Sequence, residues 1–256
     1  MPTRLILCAA AFILSLGVLT GNGLAADPLR VVVSGPYPPF AEIDEDGTVS
    51  GFDVDIAEAL CKELGRECRI ENIEFDDIIP ALVEGRIDFA VAGMGVNEER
   101  KKVVDFTDRY YRSVSILVER KGAFAESTLE DLKGMRIAAQ TASLQADYLI
   151  KTYGDSITLV TDTSYDALFD LLKQGEVDLV LSDGLPGYAY LTSEQGEGLE
   201  NIGAPLDPGD EINWGRITLP QNQEDLREAI NQAIQTLRRN GEYDKINRKY
   251  FDFTIY

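Results

Sequence analysis

Two charged residues stand at positions from which a chain could hold a small ligand. The first is Arg100, which follows the glycine loop Gly93-Met94-Gly95 and falls in the first turn of a helix that Asn97 would cap. The helix dipole disfavours a cation there, so Arg100 is either solvated and neutralised by Glu98 and Glu99 or held in place to meet an anion. Because a guanidinium group matches a carboxylate in bidentate geometry, the chemistry at stake is carboxylate binding.

The second charged residue is Asp183, which stands just before Gly184 and Pro186 at the predicted start of a helix. An aspartate in this position commonly caps the helix, and that alternative stays open. A carboxylate can also accept a hydrogen bond from an ammonium group. If the strand ends that precede Arg100 and Asp183 face each other, the pair would suit a zwitterion such as an α-amino acid.

An internal repeat relates these two strand ends. Leu82-x-x-Gly85-x-Ile87-Asp88 recurs 90 residues later as Leu172-x-x-Gly175-x-Val177-Asp178. Each copy is typical of a helix end, a glycine cap and the start of an apolar strand, although such a pattern also recurs by chance in α/β proteins. The first strand runs out at Ala92-Gly93 and the second at Ser182-Asp183. Since ligands of open α/β sheets bind outside the carboxyl ends of the strands, two similar units would offer matching rims to one ligand.

The elements that must position these residues alternate between short β-rich runs and amphipathic helices, which is typical of α/β proteins. The second unit is followed by an extended run and by two terminal helices with apolar stripes. If the chain returns there to the first unit, two segments cross between the units and act as a hinge. We therefore predict two lobes, 26–112 with 212–256 and 113–211. The predicted strands are 29–33, 69–73, 87–92, 136–139, 157–160 and 177–181, the extended run is 212–219, and the terminal helices are 224–239 and 243–251.

Composition excludes several classes of function. The 256 residues carry 24 Lys and Arg against 44 Asp and Glu, and a net charge of −20 repels the phosphates of nucleic acids. The chain contains no histidine, which removes Ser-His-Asp and Cys-His nucleophilic chemistry and imidazole zinc sites. A hydrophobic content of 45% indicates a globular protein. We predict no nucleic-acid partner, no metal and no cofactor.

Residues 1–25 have the pattern of a cleaved secretory signal peptide. Arg4 gives a positive start, the run from Leu5 to Leu19 is almost entirely apolar, and Gly23-Leu24-Ala25 supplies the small residues of a cleavage site. A retained membrane anchor is the disfavoured alternative, because the run is too short to span a bilayer. We therefore expect an exported protein in the periplasm.

Export changes the interpretation of the cysteines. Cys8 leaves with the signal peptide, so Cys61 and Cys68 become the two thiols of a protein in an oxidising compartment. A helix that ends at Gly65 and a chain that then turns into an extended run bring Cys68 back beside Cys61. We predict a disulfide between them, and two free buried cysteines are the alternative.

Longer motifs extend the picture over most of the chain. They are Tyr37-Pro38-Pro39-Phe40, Gly51-Phe52-Asp53-Val54-Asp55-Ile56-Ala57, Glu99-Arg100-Lys101-Lys102, Val104-Asp105-Phe106-Thr107 and Lys249-Tyr250-Phe251-Asp252-Phe253. From about Leu29 onward the chain resembles the family 3 extracellular solute-binding proteins, which are the amino-acid receptors of ABC importers, and within them the histidine and lysine/arginine/ornithine binders. The resemblance implies the two-lobed periplasmic binding protein type 2 fold, in which each lobe is a mainly parallel sheet flanked by helices and two strands form the hinge.

The resemblance also implies roles for individual residues. Arg100 matches the arginine that clamps the α-carboxylate of the ligand, and Asp183 matches the aspartate that accepts from its α-ammonium. Tyr37 and Phe75 match the aromatic pair that sandwiches the ligand side chain, although Phe75 taken alone would be a core residue. Ala92 and Gly93 match residues whose backbone lines the ligand.

This chain departs from the family pattern at three positions. Gly95 stands where the family usually has Ser or Thr, and Ala142 stands where it usually has glycine. Ser143 is therefore the remaining side-chain hydroxyl on the carboxylate side of the ligand. A lost charge-assisted hydrogen bond would be worth about 1.5 to 3 kcal/mol unless backbone or water replaces it. Ser34 occupies the position where the binders of basic amino acids carry an aspartate. From these departures we expect polar uncharged amino acids, or an amino-acid derivative, to bind more tightly than lysine.

Three classes of function follow from this reading. The leading one is a monomeric binding protein without catalytic activity, whose lobes close on a small zwitterion and whose closed form docks on an ABC permease in the inner membrane. The main alternative is an enzyme on the same scaffold, such as a cyclohexadienyl dehydratase, for which Glu74 and Asp76 are the nearby candidate acids. A sensor domain fused to a signalling protein is disfavoured, because no further run of membrane-spanning length follows.

Overall fold

The computed structural model describes residues 27–124, 132–206 and 213–256. The predicted signal peptide, residues 1–25, lies outside these ranges. No helix within them is long and apolar enough to cross a membrane.

The described chain forms two separate five-stranded sheets with the same pattern of strand directions. The first consists of β1 (Leu29–Val33), β4 (Cys68–Asn72), β5 (Phe89–Met94), β6 (Val104–Arg112) and β12 (Trp214–Pro220), with the small antiparallel pair β2 (Glu42–Ile43) and β3 (Val49–Ser50) beside it. Its order is β4-β1-β5-β12-β6. In this sheet β1 and β5 are parallel, β4 is parallel to β1, and β12 is antiparallel to both β5 and β6.

The second sheet consists of β7 (Ser115–Arg120), β8 (Arg136–Gln140), β9 (Thr158–Asp162), β10 (Leu179–Asp183) and β11 (Leu199–Leu206). Its order is β11-β7-β10-β8-β9. Here β9, β8 and β10 run parallel, and β7 is antiparallel to both β10 and β11. Each sheet is therefore mixed, so the prediction of mainly parallel sheets holds for three strands in each.

Helices cover both sheets. Those that accompany the first sheet are α1 (Phe52–Glu63), α2 (Ile78–Val83), α3 (Glu98–Lys101), α7 (Glu224–Arg239) and α8 (Glu242–Tyr250). Those of the second are α4 (Leu144–Tyr153), α5 (Tyr165–Gln174) and α6 (Gly184–Thr192). The helix predicted at 224–239 has the observed bounds, and its apolar stripe buries Ile230, Ala233, Ile234 and Leu237. Burying a side chain of this size stabilises the fold by about 1.5 to 3 kcal/mol.

The internal repeat has the same structure in both copies. Asp88 accepts from the backbone N–H of Arg30 at 2.7 Å and pairs with its guanidinium, and Asp178 accepts from the backbone N–H of Arg136 at 2.9 Å and pairs likewise. In each copy the aspartate follows a glycine with positive φ and ties the start of one strand to its parallel neighbour. The repeat is therefore structural rather than a chance recurrence.

The chain crosses between the sheets twice. β6 of the first sheet leads to β7 of the second through residues 113–114, and the chain comes back after β11 to form β12 inside the first sheet. The backbone N–H of Ser113 donates to the carbonyl of Asn213 at 2.8 Å, so the two crossing segments are bonded to each other. The extended run predicted at 212–219 is β12.

Cys61 and Cys68 form a disulfide, with their Cα atoms 6.0 Å apart. Cys61 lies in the last turns of α1 and Cys68 begins β4. The bond therefore fastens the end of this helix to the edge strand of the first sheet, and the sequence-based pairing is confirmed.

Candidate functional site

One cleft lies between the two sheets and is lined by residues of both. It holds about 500 Å³ of space, part of it open to solvent. All nine residues that the sequence analysis selected line this one cleft: Ser34, Tyr37, Phe75, Ala92, Gly93, Gly95, Arg100, Ser143 and Asp183. The structure adds four that it did not select: Tyr111, Gln140, Leu144 and Gln145.

Arg100 is held at the cleft by its local structure. Asn97 caps α3 by accepting from the backbone N–H of Arg100 at 2.8 Å, as the sequence predicts. The side chain is only 7% exposed, and its guanidinium donates to the carbonyls of Gly95 and Ala142, the latter at 2.6 Å. Burial lowers the pKa of Arg100 to about 10, and attraction by Asp147 opposes that shift. The group therefore stays cationic at neutral pH and is not a solvated surface charge.

Contacts across the cleft accompany this arrangement. The carbonyl of Ala142 belongs to the second sheet's side of the cleft, so Arg100 bridges the two halves. Asn97 also donates from Nδ2 to Asp147 of α4 at 3.0 Å. Tyr37 packs edge-on against Tyr165 of α5, with ring centroids 4.8 Å apart. The two halves are therefore in direct contact on both sides of the cleft.

Asp183 ends β10 and serves two purposes at once. Its Oδ1 caps α6 by accepting from the backbone N–H of Leu185 at 3.0 Å, and it also accepts from the hydroxyl of Ser113. Its Oδ2 has no hydrogen-bond partner among the described residues. Burial raises the pKa of Asp183 to about 6, while the hydrogen bonds from Ser113 and Leu185 oppose the rise. Capping and ligand binding, posed as alternatives by the sequence, are compatible because they use different oxygens.

The position of Gly93 leaves no room for a side chain. Its φ is 58°, and a Cβ atom at this position would lie 2.1 Å from the hydroxyl oxygen of Tyr111. Its N–H donates to the hydroxyl of Tyr110, which donates in turn to Asp53 at 2.7 Å. The N–H of Gly93 is therefore used inside the protein, and Tyr111 takes the space beside it in the cleft.

The aromatic pair lies at the cleft as the family resemblance implies. Tyr37 is held by two backbone hydrogen bonds with Ala41, and Phe75 begins a short 3-10 helix after β4. The guanidinium carbon of Arg100 lies 5.8 Å from the ring centroid of Phe75. Phe75 is half-buried rather than a core residue.

The second sheet contributes hydroxyl and amide groups. Ser143 caps α4 by accepting from the N–H of Ala146 at 3.1 Å, which leaves its hydroxyl proton free to donate. Ala142 has a φ of 58°, a value that usually requires glycine. Gln140 ends β8, so the rule that ligands bind at strand ends would have found it, whereas Gln145 lies in the first turn of α4 and had no such signal.

The charge of the cleft is balanced. Among the described residues that line it, only Arg100 and Asp183 are charged at neutral pH, one with each sign. Glu74 and Asp76, the candidate acids of the enzyme alternative, are exposed and do not line it. No group of three His, Cys, Asp or Glu residues in the described ranges could hold a metal ion.

The sequence was also compared with models of known protein families. The model for bacterial extracellular solute-binding proteins, family 3, matches residues 29–253. The chain belongs to this family. The predicted family and the two-lobed type 2 fold are thereby confirmed, and the family places this solute-binding protein outside the cytoplasm, in the periplasm.

Individual relatives agree with this assignment. This chain is 34% identical over 249 residues to the L-arginine-binding protein of Pseudomonas aeruginosa PAO1, with 95% of each chain covered. An ancestral arginine-binding protein bound to arginine superposes with a TM-score of 0.81 at 36% identity, covering 88% of this chain and 98% of that one. A structure of an ancestral arginine-binding protein bound to glutamine gives 0.79 at 34% identity, with the same coverage.

These relatives are binding proteins, and this chain is a solute-binding protein rather than an enzyme. The dehydratase alternative is not favoured. The position of the two candidate acids outside the cleft gives the same answer on physical grounds, because a general acid must reach the substrate.

Proposed function

We propose that this protein binds an α-amino acid, or a close derivative, in the cleft between its two sheets. The observation that carries the proposal is the single pair of opposite charges in the lining, Arg100 and Asp183. Arg100 would donate hydrogen bonds to the α-carboxylate from the guanidinium N–H groups that do not bond the carbonyls of Gly95 and Ala142. Asp183 would accept from the α-ammonium with the oxygen that makes no hydrogen bond to described residues. A zwitterion satisfies both groups, whereas a simple anion or cation leaves one of them buried and unpaired.

We further propose that the ligand side chain is uncharged. A distal ammonium or guanidinium would need a second anion, but the described residues of the lining offer none besides Asp183, and Ser34 provides only a hydroxyl. Asp53 is 2% exposed, accepts from the hydroxyl of Tyr110, and is not among the described residues that line the cleft. Tyr37 and Phe75 supply apolar faces, and the amides of Gln140 and Gln145 can bond a polar group between them.

The relatives make this side-chain preference a point to test. One is named for arginine, and a related ancestral protein was solved with glutamine bound. Glutamine fits a cleft whose further polar groups are amides and hydroxyls, because these donate and accept without demanding charge. Arginine is the competing ligand.

We propose that binding works by closure of two bodies, 26–112 with 212–256 and 113–211. The contacts across the cleft made by Asn97, Arg100 and Tyr37 would form on closure, and a ligand that bridges both bodies stabilises the closed form. The family implies an ABC importer, so the closed form would then deliver the amino acid to its permease in the inner membrane. The protein would act as a monomer without a nucleic-acid partner.

Calorimetric titration of the mature chain with glutamine, histidine, lysine and arginine tests both parts of the proposal. We expect glutamine or another uncharged amino acid to bind at micromolar concentration or tighter, and lysine to bind at least tenfold more weakly. Tight binding of lysine or arginine alone would overturn the side-chain assignment but not the zwitterion site. Absence of binding by every amino acid, with a thermal-unfolding profile that shows a folded protein, would overturn the function.

A further inference from the structure

A second groove gathers basic side chains at the outer edge of the first sheet. It is lined by α3, β6, β12, α7 and Tyr256, and holds about 1160 Å³ of space, part of it open to solvent. Its basic residues are Lys101, Arg109, Arg216 and Arg227, and Trp214 forms part of its wall. Among the described residues that line the groove, four are basic and two, Asp105 and Asp108, are acidic. The formal charge of this described lining is therefore positive, whereas that of the whole chain is −20.

Two of these cations face each other directly. Arg109 and Arg216 are partners in the antiparallel pairing of β6 with β12. Like charges in that relation destabilise a sheet unless something nearby compensates them. Part of the compensation is Trp214, whose ring lies 4.8 Å from the guanidinium carbon of Arg109 and 5.2 Å from that of Arg216. Stacking on the indole holds the Arg109 guanidinium beside the groove without neutralising its charge.

The groove is rich in hydrogen-bond donors. Neither Arg109 nor Arg227 forms an ion pair with a carboxylate in the described ranges, unlike Arg30 and Arg136 in the two copies of the repeat. The indole Nε1 of Trp214 is buried and has no hydrogen-bond acceptor there either. Two guanidinium groups beside one groove, Arg109 and Arg227, without a carboxylate partner in the described ranges, call for an acceptor that carries negative charge.

We propose that this groove binds a small, multiply charged oxyanion, either a polycarboxylate or a phosphate. Guanidinium groups bind both through the same forked hydrogen bonds, and a multiply charged anion can bridge Arg109 and Arg227. A small ligand is favoured over an acidic macromolecule, because the net charge of −20 repels an extended anion everywhere outside the groove. This site is separate from the amino-acid cleft, and none of its lining residues is shared with it.

Trp214 makes the proposal directly measurable, because it is the single tryptophan of the chain. We would titrate the mature protein with inorganic phosphate and, separately, with citrate, at ionic strength held constant with sodium chloride. Saturable change in tryptophan fluorescence with either probe supports the site, and the probe that saturates identifies the source of the oxyanion. A response that sodium chloride reproduces, or that never saturates, overturns it.

Two variants and one matched control assign the response to the groove. Arg109→Gln and Arg227→Gln should each weaken the saturable binding by about tenfold or more. Arg69→Gln makes the same change of charge on β4, at the opposite edge of the same sheet, and should leave binding unchanged. Equal affinity in all three variants would overturn the proposal. Arg227 lies on the half-buried face of α7, so its variant keeps the test valid if the Arg109 variant unfolds. Amino-acid titrations of the same variants should be unchanged, which separates this proposal from the function of the cleft.

Discussion

Ser113, in the first segment that crosses between the two sheets, donates a hydrogen bond to Asp183 in the cleft. The same hydroxyl oxygen accepts from the backbone N–H of Leu185 at 3.2 Å, at the start of α6. A residue of the crossing segment is therefore bonded to the carboxylate that we assign to the ligand ammonium. The crossing segment and the ligand site are in direct contact, without intervening residues.

Replacement of Ser113 by alanine should raise the pKa of Asp183. The hydroxyl hydrogen bond favours the ionised carboxylate, so its loss leaves burial less opposed. Measured as ligand affinity against pH, the midpoint should move to higher pH in Ser113→Ala. Ser193→Ala removes a hydroxyl hydrogen bond to the carbonyl of Tyr190, away from the cleft, and serves as control. Superimposable profiles for Ser113→Ala and the unmodified protein would contradict the expected coupling.

Amino-acid affinity should fall as pH falls through about 6. Burial raises the pKa of Asp183 to about 6, and a protonated carboxyl cannot pair with an ammonium group. Below that pH the dissociation constant should rise about tenfold per unit, and Asp183→Asn should bind weakly with no such dependence.

The unliganded protein should show the opposite trend in its free energy of unfolding. Between the ordinary pKa of 3.8 and about 6, the folded state binds a proton at Asp183 that the unfolded state releases. The contribution of Asp183 to stability therefore decreases as pH rises through that window. Urea unfolding of the unmodified protein and Asp183→Asn at pH 4 and pH 7 isolates this contribution, which should vanish in the variant.

Arg100→Ala should weaken binding by more than about 2 kcal/mol, because it leaves the ligand carboxylate buried without its cation. Arg86→Ala is the control, since Arg86 is exposed, pairs with Glu84 and does not line the cleft. Calorimetry gives the affinities, and circular dichroism shows whether the fold persists. Unchanged affinity in a folded Arg100→Ala protein would return Arg100 to a purely structural role.

Gly93→Ala should destabilise the protein by more than the backbone strain of a positive φ alone. Both Gly93 and Gly85 have positive φ, so alanine at either position adds backbone strain of about 1 to 2 kcal/mol. Only at Gly93 does the new Cβ meet another group, the hydroxyl of Tyr111, whereas nothing lies within 4 Å at Gly85. Thermal unfolding should show a larger loss for Gly93→Ala, and ligand affinity should fall in that variant alone. Equal losses of thermal stability in the two variants would contradict this prediction, because they would mean that Tyr111 shifts away from the new Cβ at no cost in stability.

The double variant Cys61→Ser, Cys68→Ser should be less stable than the unmodified protein by about 2 to 3 kcal/mol, as expected for a disulfide that closes a short loop. Urea unfolding measures the difference. Alkylation of the exported, denatured and unreduced protein should label neither cysteine. Labelling of both would show that the bond does not form in the cell.

The sequence was informative where local chemistry decides the structure. The cap at Asn97, the helix at 224–239 and the repeat around Asp88 and Asp178 all follow from short-range patterns, and each is found as expected. The choice between a solvated and a buried Arg100 could not be made locally. It depends on the carbonyl of Ala142, which lies 42 residues away and belongs to the other half of the cleft.

Sequence-based prediction missed β6, β7 and β11 of the two five-stranded sheets, and also the short pair β2 and β3. Of these, β6 and β11 lie at sheet edges. β6 carries charged residues at Asp105, Asp108 and Arg109 along an apolar run, and β11 contains Gly203 and Pro205. Edge strands tolerate such residues, because one side of the strand needs no partner. Tyr111 was missed in the cleft for the same reason, since its strand was not recognised.

The position of β12 between β5 and β6 has a consequence for the biogenesis of the protein. Residues 214–220 provide the strand that joins β6 to the rest of the first sheet, so this sheet is incomplete until most of the chain has left the ribosome. Ile217 and Leu219 of that strand and Ile230 and Ile234 of α7 belong to the same core as Val31 and Val33 of β1. Long-range pairing of this kind delays folding. A nascent chain that cannot close its first core early stays extended for longer, which suits a protein that must be threaded across a membrane before it folds.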